Sequence, residues 1–305
     1  MLYLVVSWKW RQNNMIKLKI AGLIIQLNMP IKLLHDNMYD FLYKGADDAD
    51  IIWSIIFDNN YQIDEKPYIS AKTLNIYYKN KKVVYNYKNE SNIPFMIVAD
   101  DNFEKCSFYI SKKYENLDKC ASMIIDNIKM CLFNIFREMF ILACVSRDRL
   151  AIHSASIIYD DKAYLFSAPS GTGKSTHANL WKDEYDCEIL NGDVAIAQII
   201  AEENNKKIII HGCPWCGTSE IYMNTSVTLG GIAFLNQGKE NIIYDLSIED
   251  LGIKLLENHF VPLITKQIAD VCVKDINYIA RIAKGYTLTC NINREAAKKA
   301  FEKMV

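Results

Sequence analysis

No excess of one charge marks this chain: 35 lysines and arginines stand against 36 aspartates and glutamates, a formal net charge of -1 over 305 residues. A nucleic-acid footprint or a polybasic membrane anchor needs a surplus of cations, so neither partner is expected. Long uninterrupted apolar runs are missing as well. The apolar opening 2–6 is too short for a signal core or a membrane span and runs into Trp8, Lys9, Trp10 and Arg11. The stretch 131–145 carries Arg137 and Glu138 in its middle, which lipid would penalise, so it reads as a buried helix of a soluble protein. The nine cysteines have no regular spacing and no cleavable leader is expected, which predicts free thiols in a reducing cytoplasm. Internal repeats and low-complexity linkers are also lacking.

What is present is a chain half hydrophobic, enough for one large domain or two smaller ones. Residues 1–14 are set aside as an upstream-start extension, because Met15 opens the first convincing strand. From 15 to about 114 short alternating runs (17–27, 74–78, 82–87, 95–98, 107–110) are bounded by Asn, Asp, Lys and Pro clusters, the pattern of a strand-rich module. Asp100 and Asp101 read as a hairpin turn. Helical spacing of Ile124, Ile128, Leu132, Ile135, Phe136 and Met139 then predicts a long connecting helix within 117–147. The expected organisation is therefore 15–148 as a strand-rich module with its helix, and 149–305 as a second, α/β domain.

In that second part strands are expected at 151–159, 162–166, 187–190, 194–201, 206–211, 227–235 and 286–290, with helices from Lys174, from Ser247, over 266–283 and over 294–304. Ser247 with Asp250 makes a capping box, Asn293 an N-cap, and Gly285 a C-cap. Between the second of these strands and the first helix stands Ala168-Pro169-Ser170-Gly171-Thr172-Gly173-Lys174-Ser175-Thr176. This is the G-x-x-x-x-G-K-S/T pattern with Ala168 at its first glycine. Gly171 and Gly173 permit dihedrals that turn backbone N–H groups inward, and the helix start presents its positive dipole end. Pro169 to Thr176 are thus expected to cradle a nucleoside triphosphate, with Lys174 reaching the β- and γ-phosphates and Ser175 holding magnesium. An apolar strand entering the loop and a helix leaving it are the context that such a motif requires.

Phosphoryl transfer also needs a carboxylate, for the metal or for the proton of the attacking hydroxyl. Asp193, at a Gly-Asp corner after the loop helix, is the candidate for both; a capped turn between strands is the plainer reading. His153 lies on the strand paired with the one feeding the loop and is a candidate to move a proton or bind a phosphate oxygen, against a half-buried strand histidine. His177 is read as a packing or surface residue.

The segments His153-Ser154-Ala155-Ser156, 165–177 and Asn191-Gly192-Asp193, with Gly212-Cys213-Pro214-Trp215-Cys216-Gly217 and the ending 288–297, resemble the HPr kinase/phosphorylase-like group of the PEP-carboxykinase-like P-loop proteins. The resemblance covers about the C-terminal half and is strongest to small bacterial members without a typical HPr kinase N-terminal domain. It implies a mixed-sheet α/β fold with a P-loop, and an ATP- and Mg2+-dependent kinase acting on a serine or similar hydroxyl of a peptide or small protein. Some such relatives act in peptide maturation. The resemblance also places Lys174, His153 and Asp193 in the active site and makes Ala168 an ordinary variant. Two departures accompany it: Gly192 stands where a second acid is usual, and Thr218 where a lysine is common. Loss of an acid and a base could weaken transfer by several kcal/mol, on the order of what such positioning supplies. A catalytically weak or inactive ATP-binding accessory subunit is therefore the alternative reading.

Cys213 and Cys216 suggest a redox or zinc motif, but only His211 lies near as a third ligand, no second C-x-x-C follows, and a loop rather than a helix comes next. They are read as reduced packing thiols, with Trp215 as a wall of the cleft. A metabolic carboxykinase would need further basic and metal-ligand motifs that this chain lacks. A homo-oligomer is compatible with the pattern.

Overall fold

The computed structural model describes residues 15–59, 66–70, 74–79, 82–87, 95–202, 205–261 and 265–305, so the extension expected over 1–14 lies outside the described residues. The chain divides into two compact units between Ala143 and Cys144. The fold is mixed α/β, with one mixed sheet in each unit.

The first unit is built on β1 (Met15–Ile20), β2 (Leu23–Asn28), β3 (Ile51–Phe57), β4 (Ile69–Ser70), β5 (Leu74–Lys79), β6 (Lys82–Tyr87), β7 (Phe95–Asp100) and β8 (Lys105–Ile110). Their order is β1-β2-β3-β8-β7-β6-β5-β4, with β3 parallel to both neighbours and the remaining pairs antiparallel. The alternating run expected over 17–27 is a hairpin rather than one strand, because Ala21 and Gly22 turn the chain at φ 49° and 78°. Asp100 does close a hairpin: its carboxylate accepts from the backbone N–H groups of Glu104 (2.8 Å) and Lys105 (3.1 Å). Helix α1 (Ser122–Val145) begins later than the spacing predicts, since Leu117–Lys119 forms a separate 3-10 turn. Phe136 of α1 packs edge-on to Phe108 at 5.0 Å and against Trp53 at 5.3 Å, anchoring the helix on β3 and β8.

The second unit contains β9 (Arg149–Tyr159), β10 (Lys162–Ser167), α2 (Lys174–Tyr185), β11 (Glu188–Asn191), β12 (Val194–Glu202), β13 (Asn205–His211), β14 (Ser226–Gln237), β15 (Ile242–Asp245), α3 (Ile248–Asn258), α4 (Lys266–Ile282), β16 (Gly285–Cys290) and α5 (Arg294–Met304). The sheet runs β10-β9-β12-β13-β14-β16-β15, β11 adds to β9, and β10 also pairs with β14, in parallel. Strand β9 is long because it serves two partners: Arg149 to His153 face β12, and Ser154 to Tyr159 face β10. Its midpoint therefore meets both the strand that feeds the loop and the strand that carries the corner after Asn191.

Trp181 of α2 fixes that helix on the sheet. It is fully buried against Phe166 (5.4 Å), Tyr164 (5.6 Å) and Phe301 of α5 (5.5 Å). Ser247 and Asn293 cap α3 and α5 as expected, accepting from the N–H groups of Asp250 and Ala296. Gly285 is not the cap of α4; Ala283 is, and Gly285 opens β16, where an added Cβ would lie 2.7 Å from Leu251. Among the described residues no helix is long and apolar enough to cross a membrane.

Candidate functional site

The loop leaving β10 turns at Thr172, whose N–H donates to Pro169 O at 3.3 Å, and enters α2 through Gly173. Gly171 and Gly173 adopt φ +80° and +113°, while a Cβ at either would meet nothing within 4 Å. Dihedral freedom, not crowding, is what these glycines supply. No side chain caps α2. Its first N–H with an intrahelical bond is that of His177, to Gly173 O at 2.9 Å, so the preceding N–H groups stand at the helix start where an anion would be held. Ser175 and Thr176 are exposed there.

Lys174 is only 7 % exposed. Its Nζ donates to Ala168 O at 2.9 Å and to Pro169 O at 3.4 Å, so the side chain folds over its own loop. Burial pulls its pKa below the usual lysine range, and the nearby Asp193 carboxylate pulls it back up.

Asp193 and His153 come together from adjacent strands, with His153 in register with Val194. Asp193 Oδ1 lies 3.3 Å from His153 Nε2, and both side chains are about one-fifth exposed. Phe260, just beyond α3, tilts against the imidazole at a centroid distance of 4.8 Å. The structure thus joins the three residues singled out for catalysis in one unit.

Asn191 does more than its place in an Asn-Gly-Asp corner suggested. It is fully buried. Its Oδ1 accepts from the N–H groups of Asp193 and Val194, both at 2.9 Å, and its Nδ2 donates to Cys213 O (2.9 Å) and Trp215 O (3.2 Å). One amide therefore sets the corner that presents Asp193 and ties it to the 213–216 segment. The signal was available in the sequence as an Asx-type turn residue.

That segment is structural. Cys213 is fully buried with its thiol pKa pushed up by burial, and its Sγ donates weakly to Val194 O at 3.5 Å. Trp215, at 2 % exposure, is a core residue and not an open cleft wall. His211 bonds instead to Ser226 Oγ (2.6 Å) and Gln198 Oε1 (2.9 Å). Among the described residues no group of three His, Cys, Asp or Glu is arranged to hold a metal ion.

The corner also explains Gly192. An added Cβ would lie 1.8 Å from Ser219 Oγ, and one on Gly217 would lie 2.9 Å from Asp193 Cβ. The 217–219 turn occupies the room a second acidic side chain would need. Thr218 is exposed on that turn.

No family model and no curated protein matches the chain. Among solved structures, the Hpr(Ser) kinase/phosphatase from Coxiella burnetii is similar at 11% identity, over 50% of this chain and 97% of that one, with a TM-score of 0.28.

Proposed function

We propose that the second unit is an ATP-dependent phosphotransferase that moves the γ-phosphoryl group to a serine or similar hydroxyl of a peptide or small protein. The observation that carries this reading is the convergence of Asp193, 3.3 Å from His153, on a buried lysine at the mouth of a glycine loop. An isolated glycine turn before a helix would have no reason to bring a carboxylate into range of that lysine.

In the reaction the acceptor oxygen forms a bond to the γ-phosphorus as the bond to the β-bridging oxygen breaks, giving a phosphate ester and ADP. Asp193 takes the hydroxyl proton. His153, its Nε2 3.3 Å from the same carboxylate, orients it. Lys174 releases its two carbonyl partners and neutralises charge on the transferred group, while the loop N–H groups fix the phosphates. The donor set suits magnesium: the hydroxyl of Ser175 and the carboxylate of Asp193 are hard oxygen ligands, and this ion commonly takes only one or two protein ligands besides phosphate and water. It would supply charge neutralisation on the phosphates.

A second reading, ATP binding without transfer in an accessory subunit, draws on the turn that closes off Gly192, since a single carboxylate remains. Labelled ATP incubated with pooled serine-containing peptides separates the two. Transfer yields labelled peptide whose formation Asp193→Asn strongly slows; saturable ATP binding without labelled product supports the accessory reading.

A further inference from the structure

The turn that crowds Gly192 also carries an exposed hydroxyl, on Thr218, close to the carboxylate proposed to take an acceptor's proton. We infer that Thr218 is itself an acceptor: the chain phosphorylates it in cis from ATP, and the product then slows transfer to other acceptors. The inference rests on the phosphotransferase reading and adds to the same site an internal substrate and a means of regulation.

Connections on both sides hold this turn at Asp193. Ahead of the 3-10 turn Gly217–Ser219, Trp215 O accepts from Asn191 Nδ2 at 3.2 Å. Behind it, Ile221 O accepts from the N–H of Gly192 at 3.1 Å, and Tyr222 bridges to Asn191. The corner at 191–192 is thus tied to the chain before and after the turn, and Asp193 follows directly. Gly217, at φ +60°, brings the backbone itself up to the carboxylate: a Cβ there would lie 2.9 Å from Asp193 Cβ and Cγ and 3.2 Å from its Oδ2. Thr218 is the next residue, its Cα about 3.8 Å further on.

Neighbouring hydroxyls are committed elsewhere. Ser154, Ser156 and Ser167, on the strands beside the corner, are fully buried. Ser156 donates to Asn191 O at 3.2 Å and Ser167 to His153 O at 2.7 Å. Ser219 shapes the turn, donating to Cys216 O at 2.6 Å and accepting from the N–H of Ile221 at 3.3 Å. Thr218 is exposed, and among the described residues none bonds its hydroxyl.

In the step itself Thr218 Oγ1 forms a bond to the γ-phosphorus as the bond to the β-bridging oxygen breaks. The hydroxyl proton passes to Asp193, ADP leaves and a phosphothreonine remains. A hydroxyl tethered beside its base needs no encounter with a free peptide, which favours it over a dissolved acceptor. The product adds about two negative charges next to Asp193. Two anions at one corner repel a second triphosphate, so modification lowers further turnover.

The test uses the full chain, treated with phosphatase, freed of it and incubated with γ-labelled Mg-ATP alone, with the label located by peptide mass spectrometry. Thr218 should take up label at a rate per chain that dilution leaves unchanged, and Asp193→Asn should slow this by about 10²-fold or more. Thr218→Val, at an exposed position and with its fold checked by thermal melting, should lose the self-label yet still label pooled serine-containing peptides. Chain first phosphorylated with unlabelled ATP should label those peptides more slowly than untreated chain, and Thr218→Val should show no such decline. Label at another residue, a rate per chain that rises with chain concentration, or labelled peptides beside unmodified Thr218 would overturn the inference and leave the phosphotransferase reading intact. Phosphorylated chain as fast as untreated chain would overturn the regulatory role. Bound ATP with neither chain nor peptide labelled would remove the phosphotransferase reading and this inference with it.

Discussion

His153 Nε2 and Asp193 Oδ1 lie 3.3 Å apart although the two residues are separated by the whole loop helix and β11. The sheet makes the meeting: β9 carries His153 opposite Val194, and the N–H of Ser154 donates to Asp193 O at 3.0 Å. A histidine held this way can orient the carboxylate without any contribution from a mobile loop. His153→Gln, which retains a hydrogen-bond donor, should preserve more transfer than His153→Ala. Equal losses in single-turnover assays would remove its orienting role.

Asn191 is the second support of the same carboxylate. Its side chain makes four close bonds in the core, to Asp193, Val194, Cys213 and Trp215. Asn191→Ala should destabilise the second unit by about 2–4 kcal/mol, since buried backbone groups lose their partners. It should also lower turnover more than it lowers ATP affinity. Denaturant midpoints and a split of kcat against KM check both halves; a variant with wild-type turnover would show that the corner holds itself.

The tight contact behind Gly192 gives a prediction of opposite character. Gly192→Ala should cost about 1–3 kcal/mol through overpacking against Ser219. Adding Ser219→Gly should restore most of that stability. If the double variant is no better than the single, crowding is not why glycine stands at this corner.

Stability should fall on acidification. Burial holds His177 and His211 at a pKa of about 4 against an ordinary 6.5. The unfolded rings take up protons below about pH 6.5 and the folded rings do not, so each histidine removes up to about 3 kcal/mol as pH drops toward 4. Asp275 works the other way: burial raises its carboxyl to about 6, so protonation favours the folded state over the range from about 6 down to its ordinary 3.8. Urea midpoints should decrease from about pH 7 to about pH 5, less steeply in His177→Gln and more steeply in Asp275→Asn. An unchanged slope in His177→Gln would mean that this ring is not kept neutral.

The loop was legible because its demands are local: two positive-φ glycines, a lysine at the helix start and an apolar strand before it all sit within one stretch of sequence. Helix caps at Ser247 and Asn293 were legible for the same reason. Pairing was harder to read. Strand β3 was missed because Ile51–Phe57 is a nearly continuous apolar run without alternation, and β15 because Ile242–Asp245 is short and at the sheet edge. Gly285 was misread because glycine after a helix favours a cap, whereas here Leu251 of α3 presses on the start of β16. Likewise Gly192 reads along the chain as a lost acid, whereas in the fold Ser219 leaves no room there for a longer side chain. Each of these depends on which distant side chain arrives next to it, and spacing along the chain does not encode that.

The central claim is that Lys174 and Asp193 act on one phosphoryl group, the lysine by holding it and the carboxylate by taking the acceptor proton. Single-turnover release or transfer of label from γ-labelled ATP, with pooled serine-containing peptides and with water as acceptors, tests it most directly. Asp193→Asn should bind ATP within a few-fold of wild type yet transfer slower by about 10²–10⁴-fold, while Lys174→Ala should lose both binding and transfer. Equal transfer by wild type and Asp193→Asn would contradict the account.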